Sequence, residues 1–320
     1  MAAGHVLAKT VSECRNAVFF REEARVERIK GALAVGFLRL LALLPWRAVQ
    51  ALGSAVGVLM YRLPNRSREV ARINLAHCFP ELDAAAREQL LRDALKGTGK
   101  TFTESACAWI WHPRRTLQLV REVEGLDVLE RALASGKGVV GITSHLGNWE
   151  VLNHFYSSHC KPVVFYRPPK IQALDDLLQK QRTQMGNRAA PSTKEGILSV
   201  IKEVRAGGQV GIPADPEPSR SSGLFVPFLG TQALTSKFVH GMISGHKAEA
   251  VFLHALRLPD GSGFKVIFEA APEAMYSQDA QVAVAAQSEV IGRYVRAYPD
   301  QYMWTMKRFK QRPEGEAKWY

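Results

Sequence analysis

The sequence predicts an α/β fold in which a central mixed sheet is flanked by helices, preceded by an N-terminal hydrophobic helical segment. Three observations carry this. Between residues 138 and 270, short apolar runs of strand length alternate with stretches of helical period. A chain of 320 residues with 47% hydrophobic and 22% charged residues has the composition of a folded protein, with enough material for one large core or two modest ones. Ahead of the alternating region, Gly31 to Leu44 is apolar except for Arg39. No internal repeat or low-complexity linker divides the chain. The expected organisation is therefore a charged extension over residues 1–28, an anchoring helical segment over 29–63 and a single large domain over 64–320.

Residues 1–28 carry mixed charge without a long apolar run or a small-residue cleavage pattern, so no secretory signal is read there. As a helix, Gly31 to Leu44 would cover about 21 Å at ~1.5 Å per residue, short of a hydrocarbon core of ~30 Å. Extending it towards Met60 meets Pro45, Arg47 and Gln50, and an arginine at mid-bilayer costs on the order of 3 kcal/mol. Val49, Leu52, Val56, Leu59, Met60 and Leu63 recur at helical spacing. Basic residues flank the segment on both sides: Arg25, Arg28 and Lys30 before it, and Arg62, Arg66, Arg68 and Arg72 after it. That places both ends on the cytoplasmic side and favours a shallow hairpin or interfacial helices over one clean span. The alternative is a helical pair packed on the protein's own core.

Leu82 to Trp111 reads as a helical region with Asp83 as N-cap. Strands are predicted at Gly138–Thr143, Pro162–Tyr166, Gln209–Ile212, Leu224–Phe228, Ala250–Leu258 and Phe264–Ala270. Helices are predicted at Ile171–Met185 and Ile197–Arg205, the second opened by the capping box Ser192-x-x-Glu195 and closed by Gly207-Gly208. A further helix is read at Leu234–Gly245. Gln287–Arg296 and Gln301–Lys310 read as helical, ending in the basic group Lys307, Arg308, Lys310 and Arg312.

The net charge of +12 implies an anionic partner. Nucleic acid is set aside, because no recognition helix, aromatic platform or zinc-finger pattern is present. Cys14, Cys78, Cys107 and Cys160 are far apart and form no Cys-x-x-Cys, so neither a disulfide framework nor a metal knuckle is indicated. No metal is expected.

The stretch from Lys137 to Leu152, KGVVGITSHLGNWEVL, concentrates the chemistry. Val139, Val140 and Ile142 form a buried-strand pattern, Gly147 to Trp149 break it, and a helical pattern begins at Glu150. Ser144 and His145 thus fall at the carboxyl end of a strand, the edge where open α/β sheets bind ligands. On one continuous helix, His145 and Glu150 would point about 140° apart, so they can meet only across a turn such as Gly147 permits. The plain alternative is a core histidine near a helix-start glutamate. Arg167, in the strand-ending FYRPP, would share the same edge and suits a phosphate or an oxyanion. The loop IPADPEPSRSSGLFVPFLG offers Asp215, Glu217 and Arg220.

SHLGNWE resembles the His-x4-Asp/Glu motif of glycerolipid-type acyltransferases. RINLAHCFPEL, FYRP, RSSGLFVPFLG and the tail YPDQYMWTMKRFKQRPEG resemble, in order, blocks of the branch that adds late acyl chains to lipid A. The ordered set spans most of Arg72 to Gly315. One departure stands out: the relatives usually place a second aspartate where Glu217 aligns, and the spacing from aspartate to arginine is one residue shorter here.

The resemblance implies transfer of a lauroyl or similar chain from acyl carrier protein to a hydroxyl of a lipid A precursor, at the cytoplasmic face of a bacterial inner membrane containing anionic phospholipid. It implies His145 as general base with Glu150 holding its imidazole, and no cofactor beyond the acyl donor. Backbone amides at Gly147 and Asn148 would stabilise the oxyanion, with Arg167, Asp215, Glu217 and Arg220 on substrate. Alternatives are an acyltransferase acting on a lysophospholipid or a glycosylated phosphatidylinositol, and a non-catalytic basic protein of membrane surfaces.

Overall fold

A computed structural model describes residues 25–166 and 168–320. The expected extension is described only from residue 25 onward, and Arg167 lies outside the described residues. Seven strands form one sheet: β1 (Val120–Glu124), β2 (Val139–Thr143), β3 (Val163–Tyr166), β4 (Arg188–Pro191), β5 (Gln209–Pro213), β8 (Glu249–Arg257) and β9 (Phe264–Ala270). Their order is β1-β9-β8-β2-β5-β3-β4, and every pair is parallel except β8 with β9. The sheet is therefore mixed, with helices on both faces.

Period-two alternation along the central strands divides the core. Val139, Val251, Leu253 and Ala255 face one side, where α6 (Leu126–Ala134) and α7 (Trp149–His159) cover them. Val140, Ile142, Ala250, Phe252 and Leu256 face the other side, in the larger core. Helices α3 (Arg66–Cys78), α4 (Ala84–Ile110), α9 (Lys194–Arg205), α10 (Phe238–His246) and α11 (Ala280–Ala297) contribute to that core. The short α5 (Pro113–Leu117) links α4 to the edge strand β1. β2 is buried on both faces, which explains its unbroken apolar reading.

Several local expectations change. Residues 234–245 are not one helix. Thr231–Ser236 is strand β7, paired antiparallel with β6 (Gly223–Phe228) in a separate two-stranded sheet, and only then does α10 begin. The tight turn between them carries Leu229 and Gly230, both at positive φ. The cap of α9 is Thr193, whose side chain accepts from Gly196 N, and not Ser192. After α11 and a short 3₁₀ turn at Pro299–Gln301, the tail runs without regular helix. Asp83 caps α4 by accepting from Ala86 N.

A helix over residues 25–42 (α1) leads into α2 (Trp46–Arg62). No helix among the described residues is long and apolar enough to cross a membrane. α2 packs closely along α4 through glycines. A Cβ at Gly99 would lie 2.1 Å from the Gly53 carbonyl oxygen, and one at Gly57 would lie 2.4 Å from that of Leu95. The outward faces are apolar and exposed: Ile29, Leu33, Phe37, Leu40 and Leu43 at the first helix, Leu52, Val56, Leu59 and Leu63 at the second. Both sets follow helical spacing, so each helix presents a continuous apolar stripe away from the core.

Candidate active site

Strands β2 and β5 lie side by side in parallel, with Thr143 opposite Pro213. Two residues beyond each strand end stand His145 and Asp215. His145 Nδ1 is 3.0 Å from Asp215 Oδ1, and the His145 backbone amide donates to Oδ2 at 3.0 Å. The Tyr302 hydroxyl donates to the same Oδ2 at 3.0 Å. Asp215 is buried, whereas the His145 side chain keeps a quarter of its surface open. With Nδ1 directed at a carboxylate, Nδ1 carries the proton and Nε2 is left as the basic atom.

Burial alone lowers the His145 pKa, but attraction to the Asp215 carboxylate and their hydrogen bond outweigh it, and the net direction is upward from 6.5. Burial likewise raises Asp215, and the same pairing overrides it to hold the carboxyl below its ordinary value. A second buried histidine near Asp215, His254, packs on the Tyr294 ring, and burial pushes its pKa down to about 3. It stays neutral and adds no competing charge.

His145 stands at the mouth of a cleft of about 400 Å³ that runs between α7 and the sheet. Trp149, Arg182, Tyr156, Val164, Gly211 and Leu253 are among the residues that line it. Two strand glycines let the walls of this space pack closely on the sheet. A Cβ at Gly211 would sit 2.9 Å from Val164 Cγ1, and one at Gly141 would sit 2.6 Å from Leu253 Cδ1 and 3.3 Å from the Tyr156 ring. The lining is largely apolar, and the Tyr156 hydroxyl donates to the Val210 carbonyl at 3.4 Å.

Glu150 is not the partner of His145. The turn at Gly147 (φ 69°) and the start of α7 carry it to Arg182 of α8 (Gln172–Thr183), whose Nη2 donates to Glu150 Oε1 at 2.7 Å. Both side chains of this pair are largely buried. The expected oxyanion donors are also corrected, because their backbone amides are already engaged. Gly147 N donates to the Gln301 carbonyl at 3.0 Å, and Asn148 N to that of Ala255 at 2.9 Å. Arg182, paired with Glu150 through Nη2, also lines the cleft, and its buried Nε has no hydrogen-bond partner among the described residues.

A family model described as bacterial lipid A biosynthesis acyltransferase matches residues 20–311. The chain belongs to this family. It is 28% identical over 290 residues to the lipid A biosynthesis palmitoleoyltransferase of Escherichia coli (strain K12), covering 89% of this chain and 92% of that protein. It is 28% identical over 284 residues to the lauroyltransferase of the same strain, covering 88% and 92%. Identity to that strain's myristoyltransferase is 24% over 307 residues, covering 94% and 93%. The protein is thus an acyltransferase of lipid A biosynthesis.

In this lipid A acyltransferase, the remaining site residues divide between cleft and scaffold. Glu217 accepts from the Gln311 backbone amide at 2.6 Å and so fastens the 215–220 loop to the tail, while burial raises its pKa. Arg220 is exposed, near the Phe225 ring. In the tail, Arg308 and Arg312 are buried and donate to backbone carbonyls of Leu234 and Gln232, which makes them scaffold cations; Lys310 is exposed. Sequence reasoning missed Arg182 and gave Asp215 a substrate-binding role. The pairing of Arg182 with Glu150 spans 32 positions, and no local pattern announces it.

A pH profile of kcat/KM separates the two carboxylates. Activity should fall as pH drops through a His145 pKa above 6.5, since imidazolium accepts no proton. Asp215→Asn removes the attraction and leaves the burial, so the midpoint should move below 6.5. Glu150→Gln should leave the midpoint in place. A midpoint that shifts in Glu150→Gln but stays fixed in Asp215→Asn contradicts this pairing.

Proposed function

We propose that the enzyme transfers a fatty acyl chain, lauroyl or similar, from acyl carrier protein to a hydroxyl of a lipid A precursor in lipopolysaccharide biosynthesis. The observation that carries this reading is a histidine–aspartate pair whose histidine lines a largely apolar cleft. The acceptor class is carried over from the relatives, which are named as lipid A acyltransferases.

The acyl chain enters the cleft between α7 and the sheet and places the thioester carbonyl beside His145. His145 Nε2 takes the proton of the acceptor hydroxyl as its oxygen attacks the carbonyl carbon. Asp215 keeps Nδ1 protonated and stabilises the imidazolium, as the acid does in a serine protease triad. Arg182, held by Glu150, faces the developing oxyanion. As the tetrahedral intermediate collapses, the carbon–sulfur bond breaks and the imidazolium returns its proton to the leaving thiolate. The hydroxyl attacks directly, so no acyl-enzyme forms and no cofactor enters. In this scheme Glu150 contributes through Arg182.

Removing a positioned general base costs ~10²–10⁴-fold in rate. His145→Ala should therefore lose at least about a hundredfold in transfer of labelled acyl groups from acyl carrier protein to a hydroxyacylated lipid A precursor, with the product identified by mass spectrometry. Full activity in a folded His145→Ala protein contradicts the mechanism. Product on a lysophospholipid in place of lipid A contradicts the acceptor.

The enzyme works at the cytoplasmic face of the inner membrane, lying on anionic phospholipid through the apolar stripes of α1 and α2. The exposed Arg62 and Arg66 supplement them, each basic residue being worth ~1 kcal/mol near an anionic surface, while Arg68 and Arg72 are paired with Glu69 and Glu88. Leu33→Asp/Phe37→Asp/Leu59→Asp should release the chain into the soluble fraction of a lysate. Quantitative pelleting of this variant with membranes in high salt places the anchor elsewhere.

A further inference from the structure

One buried ion pair has no part in the chemistry above. Glu104 of α4 is fully enclosed against Arg257 of β8, whose Nε lies 2.9 and 2.8 Å from its two oxygens and whose Nη2 lies 2.7 Å from Oε2. Gln50 of α2 donates to Oε1 at 3.2 Å, and Asn148 Nδ2 donates to Oε2 at 3.2 Å. Arg257 Nη2 also donates to Thr101 Oγ1 at 2.5 Å and to the Gly147 carbonyl at 3.4 Å. Gln301 brackets Arg257, with its side chain accepting from the Arg257 amide at 2.8 Å and donating to the Arg257 carbonyl at 3.1 Å. Its own carbonyl accepts from Gly147 N.

We propose that Glu104 and Arg257 are positioning residues for the catalytic loop 145–148. A buried ion pair adds little net stability compared with apolar side chains of the same volume, so its two charges call for another use. Here the capacity left over on each partner goes to that loop. Asn148 Oδ1 accepts from Glu150 N and Val151 N at 3.1 Å each, capping α7. An amide can satisfy that cap in only one of its two flipped orientations, and the Glu104 carboxylate, accepting from Nδ2, selects it. Through Asn148 the pair sets the first turn of α7, where Glu150 holds Arg182. Through the Gly147 carbonyl it fixes the turn two residues after His145. Each effect acts on geometry while leaving the cleft lining untouched.

The proposal rests on the acyl-transfer reading, and its test separates the two. Removing Glu104 alone strands a buried cation and risks unfolding, so both charges are replaced together. Glu104→Leu/Arg257→Met fills the space with apolar groups; Glu104→Gln/Arg257→Met restores one oxygen for Asn148. Full-length chain is assayed in detergent with acyl carrier protein thioester and lipid A precursor, with melting temperature and hydrogen exchange followed alongside. Misplacement of a catalytic group by about 1 Å costs on the order of a hundredfold. The Leu/Met variant should lose about tenfold to a hundredfold in kcat, with both KM values within about threefold. Amide exchange over residues 145–151 should quicken while global protection holds, and the Gln/Met variant should recover part of the lost kcat. Wild-type kcat in the Leu/Met variant overturns the proposal, as does a loss of activity that only tracks melting temperature in both variants. A wild-type chain that transfers no acyl group overturns the reading beneath it, and the positioning role falls with it.

Discussion

The parallel, in-register pairing of β2 with β5 is the constraint on which the site depends. Because Thr143 stands opposite Pro213, each strand delivers its second following residue to the same point above the sheet. His145 and Asp215 meet there through both side chain and backbone, and a slip of one residue in that register would separate them. The register is specified by burial. Val140 and Ile142 in β2, with Val210 and Ile212 in β5, all belong to one core, and a shifted strand would turn them to the wrong face.

The same pairing shapes the cleft. Gly141 and Gly211 are opposite each other in the ladder, and both would project a Cβ towards α7. Their missing side chains let Leu253, Tyr156 and Val164 pack directly against the two central strands beside the cleft. Glycine in a strand interior weakens a sheet locally, and here the close approach of those side chains requires it. The tail closes the arrangement from above. Tyr302 donates to Asp215, the Met303 amide donates to the His145 carbonyl at 2.9 Å, and Arg308 and Arg312 both fasten the tail to β7 through the Leu234 and Gln232 carbonyls.

The elements legible in the sequence are those with a local signal. β9 was readable residue for residue, and Asp83 announced α4, because apolar alternation and capping are short-range effects. The strands β1 and β4 are sheet edges; VREVE is mostly exposed and RAAP is short and ends in proline, so neither has the apolar density of a core strand. Residues 234–245 mislead because a strand and a helix abut there with only Lys237 between them. His145 stood out at a strand end, but its partner did not. Glu150 is near in sequence and points to Arg182; Asp215 is 70 positions away and becomes adjacent only when β5 inserts between β2 and β3. Strand order is a global property, and no spacing within one segment encodes it.

The mechanism stands or falls on which carboxylate holds His145. Proton NMR of the ¹⁵N-histidine-labelled enzyme would observe the His145 Nδ1 proton directly, because a hydrogen bond to a buried carboxylate moves it strongly downfield and slows its exchange with water. The resonance should persist in Glu150→Gln and disappear in Asp215→Asn. Its persistence in Asp215→Asn together with its loss in Glu150→Gln would contradict the pairing from which the rest of the mechanism is derived.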